Sequence, residues 1–180
     1  MLKILITIWC VVSKITLEKV TADKIEELSS LAYKIWRECF PGIISNEQIE
    51  YMLEKFQSVQ AITKQIQTGY EYYFITCDGK TAGYTGIVVN SDGIFLSKIY
   101  LIDTFRGNGI ASEAIRIIAK TGSPITLTVN RGNLRAIRAY EKMGFVKIRE
   151  QKADIGSGFI MDDYVMPVSY THLRAHETEL

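Results

Sequence analysis

The alternation of strand and helix signals in the second half of the chain constrains the fold most. A strand predicted over 94–102 runs through a glycine-containing turn into a helix predicted over 109–120. A short strand over 125–129 and a helix over 134–143, ended by Gly144, come next. Strands that alternate with helices in this way favour a sheet that is covered by packed helices.

The first half of the chain predicts helices followed by an antiparallel meander. Ser45 and Gln48 form a capping box for the second helix, and turn signals at 78–79 and 90–93 join three strands. The elements before the glycine turn are a strand at 15–20, helices at 25–39, 45–56 and 58–67, and strands at 70–77, 82–89 and 94–102; strands at 145–150 and 159–166 close the chain. The predicted fold class is α/β, with one mixed sheet in a single domain over 15–166.

Composition and charge exclude several classes of protein. The 180 residues are 47% hydrophobic and 23% charged, values typical of a globular chain rather than of a disordered or collagen-like one. The formal net charge of +1 provides no strong field for nucleic acid or an anionic membrane, so neither partner is predicted. Cys10, Cys39 and Cys77 are an odd number without a C-x-x-C motif, which fits reduced thiols and predicts a cytoplasmic protein.

The two ends of the chain are predicted to lie outside the domain. The largely apolar run 4–12 is too short to span a membrane and precedes no signal-peptide cleavage motif, so residues 1–14 are predicted to form an N-terminal extension or an extra strand. Segment 167–180 resembles a cloning or assembly scar and is predicted to be a non-native or disordered tail. Both histidines, His172 and His176, lie in this tail, which removes histidine-based nucleophilic and zinc chemistry from the domain and predicts no metal.

The turn between the strand at 94–102 and the helix that follows it has the chemistry of a phosphate site. Gly107 and Gly109 flank Asn108 and allow the backbone to approach a ligand closely or to adopt a positive φ. The first N–H groups of a helix have no partner within it and carry partial positive charge, so they suit an anion. Arg106 adds a cation that can form paired hydrogen bonds with a phosphate.

Three phosphate-binding patterns can be compared with this turn. A Walker loop requires G-x-x-x-x-G-K-[ST], which the sequence lacks. The dinucleotide pattern G-x-G-x-x-G is matched at Gly107 and Gly109, but Ser112 stands where the third glycine is required. No acidic residue follows about 20 positions on. The pattern R-x-x-G-x-A is satisfied by Arg106, Gly109 and Ala111. A tight strand-to-helix turn without a ligand is the alternative interpretation.

A second motif lies in segment 129–145, which reads VNRGNLRAIRAYEKMGF. The pattern N-x-x-A-x-x-x-Y-x-x-x-G-F is matched at Asn133, Ala136, Tyr140, Gly144 and Phe145. Together with the R-x-x-G-x-A turn before it, this segment resembles the GNAT superfamily of acyl-CoA N-acyltransferases. The resemblance covers 15–166 and is specific over 96–145, where the two motifs stand in the family's order and separation.

The resemblance implies a GNAT-like, mostly antiparallel central sheet that is splayed in the middle and carries helices on both faces. It implies acetyl-CoA as co-substrate, with its pyrophosphate on the backbone of Arg106, Gly107, Asn108, Gly109, Ile110 and Ala111. The pantetheine arm would lie along Leu101 and Ile102, opposite 127–129, and Asn133 would help to hold it. Tyr140 matches the general acid that protonates the departing thiolate.

The general base stays unassigned at this point. Many family members carry a Glu on the strand before the phosphate turn, and the matching position here is Ser97, which could at most position a water. Lys98 could act as a base if desolvation lowered its pKa, but a surface cation is the favoured interpretation. Trp36, on the first predicted helix, is interpreted as a core residue.

The sequence as a whole predicts an N-acetyltransferase that moves an acetyl group from acetyl-CoA to a primary amine of a small molecule, a protein or a peptide. The alternative is a non-catalytic CoA-binding regulatory module, which the missing strand Glu favours and Tyr140 opposes. A nucleic-acid-binding domain could use the basic residues along 131–142, although a solvated helix face is the favoured interpretation of them. The family resemblance is compatible with a homodimer, but no apolar stripe in the sequence identifies an interface.

Overall fold

The computed structural model describes residues 13–169 together with residues 171 and 173. In this part of the chain the strands and α-helices are, in order, β1 (Ile15–Lys19), α1 (Ile25–Cys39), α2 (Asn46–Gln57), α3 (Val59–Gln67), β2 (Tyr70–Cys77), β3 (Lys80–Asn90), β4 (Gly93–Leu101), α4 (Ile110–Ala119), β5 (Ile125–Asn130), α5 (Leu134–Lys142), β6 (Arg149–Gly156) and β7 (Phe159–Val168). None of these helices is long and apolar enough to cross a membrane. The predictions made for residues 1–12, His172 and His176 concern residues outside the described range.

The strands form one open sheet in the order β1-β2-β3-β4-β5-β7-β6. Neighbours from β1 to β4 pair antiparallel, and so do the neighbours among β5, β7 and β6. The parallel pair β4–β5 joins the two halves of the sheet. A parallel pair needs a crossover connection between its strands, and α4 lies in that connection. The mixed, mostly antiparallel α/β fold is therefore confirmed.

The sheet is splayed where its two halves meet. The pairing of β4 with β5 is limited to three positions, the last of which sets Leu96 opposite Leu127. Beyond these positions β4 runs on to Leu101 and β5 to Asn130 without any further pairing between them. This gap is the splay that the family resemblance implies, and the expectation is confirmed.

A β-bulge on β4 marks the point of divergence. In the pairing of β3 with β4, Gly86 lies opposite Lys98 and Ile87 lies opposite Leu96, so Ser97 is an extra residue on β4. A bulge bends its strand and increases the local twist. The bulge at Ser97 therefore accounts for the change in direction that separates the end of β4 from β5.

Helices cover both faces of the sheet. On one face, α1 and α3 bury apolar residues against Tyr72, Phe74 and Tyr84. On the other face, α4 packs against Ile75 and Leu101. Phe74 and Ile75 are neighbours on β2, and their burial on opposite faces follows from the alternation of side chains along a strand. The predicted helices on both faces are confirmed.

The strand predicted at 145–150 is wrong in its bounds, because β6 begins only at Arg149. Val146 and Ile148 still donate backbone hydrogen bonds to carbonyls on β7, at 3.2 and 3.1 Å, but no continuous ladder forms there. β6 is an edge strand with a mostly exposed, polar first half. It therefore lacks the apolar alternation from which a strand is predicted.

The last strand is longer than predicted. β7 continues past Met166 through Pro167 and Val168, and both of these residues pair with β5. Val168 is buried in the core between β5 and α4, so burial of apolar surface stabilises the extension. The native or non-native origin of segment 167–180 stays a prediction.

Candidate active site

The splay between β4 and β5 opens into a cavity of about 1070 Å³. Leu96, Ser97 and residues 99–101 of β4 form one wall, and residues 128–130 of β5 form the facing wall. Residues of α1 and α2, of the turn before α4, of α4 itself and of α5 also line the cavity. The cavity therefore follows the gap in which the sequence predicts the pantetheine arm.

The turn that precedes α4 requires glycine at two positions for backbone reasons. Gly107 and Gly109 have φ angles of +83° and +73°, a conformation that residues with side chains rarely adopt. A Cβ atom built at either position would meet no heavy atom within 4 Å. The space in front of the turn is therefore open, as a ligand that approaches this backbone requires.

The amide groups of this turn are left without acceptors. No hydrogen bond within the described residues reaches the amides of Gly107, Asn108 or Gly109. The ladder of α4 begins with the Glu113 amide, which donates to the Gly109 carbonyl at 3.0 Å, so the three amides before Glu113 precede the ladder. The N-cap has no side chain to cap them. This cluster of donors at a helix N-terminus suits an anion such as a diphosphate.

Arg106 holds the turn against the end of β4. Its Nε donates to the carbonyl of Leu101 at 2.8 Å, and its Nη1 donates to Asp103 at 2.9 Å. Its Nη2 lies 3.5 Å from Glu38 and has no hydrogen-bond partner among the described residues. The guanidinium group thus fixes the shape of the turn, and its contact with a phosphate stays a prediction.

Most of the predicted site residues line the cavity. Those that do are Leu101, Arg106, Gly107, Gly109, Ile110, Ala111, Asn133 and Tyr140. Ile102 does not, because its side chain packs in the cluster beneath α1 while its amide donates to Ala82 at 2.9 Å. The side chain of Asn108 is exposed in the turn and is also outside the lining.

The cationic and acidic residues that line the cavity lie on different elements of the fold. The cations of the lining are Arg106, Arg116, Arg135, Arg138 and Lys142, all on the turn, α4 or α5. The last three are exposed, as predicted for this helix face, and make no ion pair within the described residues. The acidic residue among the lining residues is Asp163, on β7. The cationic residues therefore favour a polyanion, and the Asp163 carboxylate favours a cation.

Asn133 and Tyr140 lie at the two ends of α5. The Asn133 side chain is the N-cap of α5 and accepts a hydrogen bond from the Ala136 amide at 3.1 Å. Tyr140 packs its ring against Phe145, with 5.6 Å between the ring centroids. Its hydroxyl makes no hydrogen bond within the described residues, and burial raises its pKa to about 12. Tyr140 is therefore a neutral phenol near pH 7, with its proton free to be donated into the cavity.

The interpretation of Lys98 as a surface cation is wrong, because the structure buries this residue. Its side chain is buried on the α3 side of the sheet, where Nζ donates to the Tyr72 hydroxyl at 2.6 Å and to Gln65 at 3.1 Å. Burial lowers its pKa to about 7. Gly86, paired with both Lys98 and Tyr72, leaves the room for this contact, since a Cβ there would lie 2.9 Å from the Tyr72 ring. Lys98 does not line the cavity.

Asp163 is a site residue that the sequence analysis missed. It lies on β7 opposite Asn130 of β5, its exposed fraction is 5%, and it lines the cavity. Its Oδ1 is buried without a hydrogen-bond partner among the described residues. Burial, followed by the charge of Asp162, raises the pKa of Asp163 to about 6. The signal was present in the sequence, because alternation sets Asp163 on the same strand face as Met161 and Val165.

Aromatic rings surround the end of the cavity at α1. The ring of Trp36 lies 4.5 Å from that of Phe40 and 5.4 Å from that of Tyr100, measured between centroids. The indole nitrogen of Trp36 donates to the Tyr84 hydroxyl at 3.0 Å, which fixes the orientation of the ring. Trp36 is buried, as predicted for a core residue, and also lines the cavity.

The described residues contain no cluster of three or more His, Cys, Asp or Glu side chains that could hold a metal ion. Cys39 and Cys77 are free thiols in this part of the chain. Cys39 lines the cavity, and burial raises its pKa. A raised pKa keeps a thiol protonated and poorly nucleophilic at neutral pH.

Solved structures share this fold at low sequence identity. A PaiA N-acetyltransferase from Thermoplasma acidophilum, in complex with coenzyme A, is 23% identical with a TM-score of 0.68, over 87% of this chain and 99% of its own. A GCN5-related N-acetyltransferase from Rhodopseudomonas palustris is 13% identical with a TM-score of 0.70, over 88% and 98%. A mutant of the spermidine N-acetyltransferase SpeG from Vibrio cholerae is 17% identical with a TM-score of 0.60, over 89% and 97%. These similarities extend over nearly the whole of each solved chain and concern the fold alone.

The family is shown by a match to a sequence model. None of the curated proteins compared with this chain matches it. The family model described as an acetyltransferase (GNAT) domain matches residues 42–161, more than half of the chain. This range contains the splay, the turn before α4 and all of α5. The chain therefore belongs to the GNAT family of acetyltransferases.

Proposed function

We propose that this protein is an N-acetyltransferase that moves an acetyl group from acetyl-CoA to a primary amine of a small molecule, a protein or a peptide. The observation that carries the proposal is the cavity itself. It connects the unpartnered amides of 107–112 with the Tyr140 hydroxyl through the gap between β4 and β5. A long anionic carrier bound at its diphosphate could thus present a thioester beside a proton donor.

The donor end of the cavity fits acetyl-CoA in charge and in shape. Unpartnered amides at the start of α4 suit a diphosphate, and the exposed cations Arg135, Arg138 and Lys142 suit further phosphate groups. The end of β4 has no strand partner on its β5 side beyond Leu96, so its backbone can hydrogen-bond an extended amide-containing arm. The similar PaiA N-acetyltransferase was solved in complex with coenzyme A.

Acyl transfer to an amine needs a neutral nucleophile and protonation of the leaving thiolate. The Tyr140 phenol, with its pKa raised to about 12, is protonated throughout the physiological pH range and makes no competing hydrogen bond within the described residues. It is therefore suited to donate its proton to the sulfur as the C–S bond breaks. The low polarity around the partly buried Tyr100 and Tyr140 rings strengthens electrostatic interactions at the reacting atoms.

The test is an acetylation assay with purified protein, acetyl-CoA and a panel of amines, read by release of free thiol and by the mass of the product. Heat stability in the presence of acetyl-CoA is measured in parallel. Acetylated product together with acetyl-CoA stabilisation supports the proposal. Stabilisation without turnover of any amine would instead identify the non-catalytic CoA-binding module, and neither effect would exclude both functions.

Several further expectations belong to the same proposal. We expect residues 15–166 to form the catalytic domain, the reaction to need no metal, and the protein to work in the cytoplasm, where Cys39 and Cys77 would stay reduced. We also expect no nucleic-acid partner for the basic face of α5. An RNA titration at two salt concentrations tests that last point, since phosphate binding is strongly salt-dependent. The family resemblance is also compatible with a homodimer, and the molecular mass from sedimentation of the purified protein tests this.

A further inference from the structure

We propose that the Asp163 carboxylate receives the ammonium group of the acceptor and acts as its base, and that the acceptor is a monoamine with an apolar body. This inference rests on the proposed function and names its missing base and its substrate class. It comes from an unpartnered, buried carboxylate that lines the cavity.

A buried carboxylate without a partner needs an explanation, because burial of an unpaired charge is costly. The cations near β7 do not provide the partner. Arg131 and Lys152 lie 3.5 and 3.9 Å from Asp162, which points to the opposite face of the strand from Asp163. Arg131 also pairs with Glu150 at 3.0 Å. A cation that enters the cavity from solution would complete the site.

Asp163 is placed where an incoming amine could reach the thioester. It lies opposite Asn130, the last residue of β5, beyond the point where pairing with β4 ends. Burial raises the pKa of Tyr100, on β4, and the charges of Tyr140 and Asp163 raise it further. Tyr100, Tyr140 and Asp163 all line the one cavity, as two proton-transfer groups of one reaction and a residue near both would.

The surroundings of Asp163 define the body of the acceptor. Toward α1 and α2 the lining is dominated by Trp36, Phe40, Ile43, Ile44, Met52, Tyr100 and Met161. No second carboxylate lines the described cavity, so a second ammonium group would be buried without a partner. The walls thus favour one cationic group on an aromatic or alkyl body and disfavour a polyamine.

The proposed proton transfers balance across the reaction. Asp163 takes one proton from the ammonium group, which leaves a neutral amine. The nitrogen bonds to the thioester carbon as the C–S bond breaks, and the sulfur takes the proton of the Tyr140 hydroxyl. The second proton lost by the nitrogen returns to the Tyr140 oxygen, and Asp163 releases its proton to solvent. One proton is released overall for each acetyl group transferred.

The experiment compares Asp163→Asn with its neighbour Asp162→Asn as a matched control. Steady-state kinetics use 2-phenylethylamine and spermidine as acceptors, and calorimetry measures binding of coenzyme A and of 2-phenylethylamine. We expect the wild type to prefer 2-phenylethylamine. We expect Asp163→Asn to lower kcat/KM for it by about 100-fold or more and to abolish its binding, with coenzyme A affinity within about twofold. Asp162→Asn should change kcat/KM by less than about threefold, because Asp162 does not line the cavity.

The results separate this inference from the proposed function. Wild-type preference for spermidine would overturn the proposed acceptor class, and kinetics of Asp163→Asn within threefold of the wild type would overturn the role of Asp163; both results leave acetyl transfer standing. Absence of acetylation of every amine would overturn both. If the Asp163→Asn variant also lost its affinity for coenzyme A, the Asp163→Glu variant would be tested in its place. That variant should keep coenzyme A affinity but lose at least tenfold in kcat, and an unchanged kcat would count against the inference.

Discussion

Two parts of the cavity, named the phosphate end and the acceptor end after their proposed ligands, are built in different ways. The phosphate end comes from one continuous segment, 106–112, and its binding groups are backbone amides held by glycine conformation and a helix start. The acceptor end is assembled from side chains on α1, β4 and β7, which are far apart in the chain. Local geometry encodes the first end and tertiary packing encodes the second. We therefore expect substitutions at the two ends to separate carrier binding from acceptor chemistry.

Replacement of Tyr140 should have the largest effect, because it removes the proposed proton donor of the reaction. Tyr140→Phe should lower kcat by about 10²–10⁴-fold while the affinity for coenzyme A changes little, as measured by steady-state kinetics and calorimetry. Tyr70→Phe is the matched control, since Tyr70 also makes no side-chain hydrogen bond among the described residues and lies outside the cavity lining. Wild-type turnover in Tyr140→Phe would remove the catalytic assignment.

Blocking the phosphate end should come next in magnitude. Gly109→Leu places a side chain in the open space before the amides and should weaken coenzyme A binding by roughly 10–100-fold, because hydrogen bonds to charged groups contribute about 1.5–3 kcal/mol each. Gly79→Leu is the control, with a φ of +77° and equally open surroundings in the β2–β3 turn. Both variants should lose similar stability to backbone strain. Equal coenzyme A affinity in the two would show that the turn does not bind the carrier.

Lys98 is a buried charged residue that lies outside both ends of the cavity, so its replacement should change stability and not activity. With its pKa lowered to about 7 in the folded state and about 10.4 when unfolded, it destabilises the fold fully below pH 7. This penalty is relieved as the pH rises toward 10. In urea unfolding, wild-type stability should therefore rise relative to Lys98→Met by up to about 1.4 kcal/mol per pH unit between pH 7 and 10. Lys80→Met, at an exposed cation on β3, should follow the wild type.

Equal pH slopes in Lys98→Met and the wild type would mean that Lys98 stays protonated in the folded protein. Activity is the second readout for the same variant. Because Lys98 faces α3 and not the cavity, kcat/KM at pH 7 should change by less than about threefold once the protein is folded.

The smallest effect is expected at the exposed cations of the phosphate end. Arg138→Gln should weaken coenzyme A binding by about two- to fivefold at low salt, because exposed ion pairs contribute about 0.2–1 kcal/mol. The difference should shrink at 0.5 M salt as screening increases. Lys80→Gln removes an exposed cation outside the cavity and should show neither change. A salt-independent loss in Arg138→Gln would indicate a structural role instead.

The sequence predicted those parts of the molecule that depend on local chemistry. Glycines at a strand-to-helix turn and the Ser45 cap lie where their patterns indicate, and the Ser45 side chain accepts from the Gln48 amide at 3.1 Å. The order of strands and helices was predicted for the same reason. β6 was displaced in the prediction because an exposed edge strand carries no apolar alternation.

The acceptor end was not predictable because its residues meet only in the folded sheet. Lys98, outside this end, and Asp163 are both charged residues on strands; alternation indicates that Asp163 shares a face with apolar residues, but the sequence does not show what either side chain meets. Gly86 lets Lys98 reach Tyr72, whereas Asp163 faces the cavity without a partner. Cross-strand neighbours decide both outcomes. A charged residue in register with apolar ones on a central strand is the signal to look for.

The most direct test of the account is a crystal structure of this protein grown with coenzyme A. We predict that the diphosphate oxygens accept hydrogen bonds from amides within 107–112 and that the arm passes between β4 and β5, with its sulfur beside the Tyr140 hydroxyl. A diphosphate bound elsewhere, or a gap between β4 and β5 closed to the arm, would contradict it.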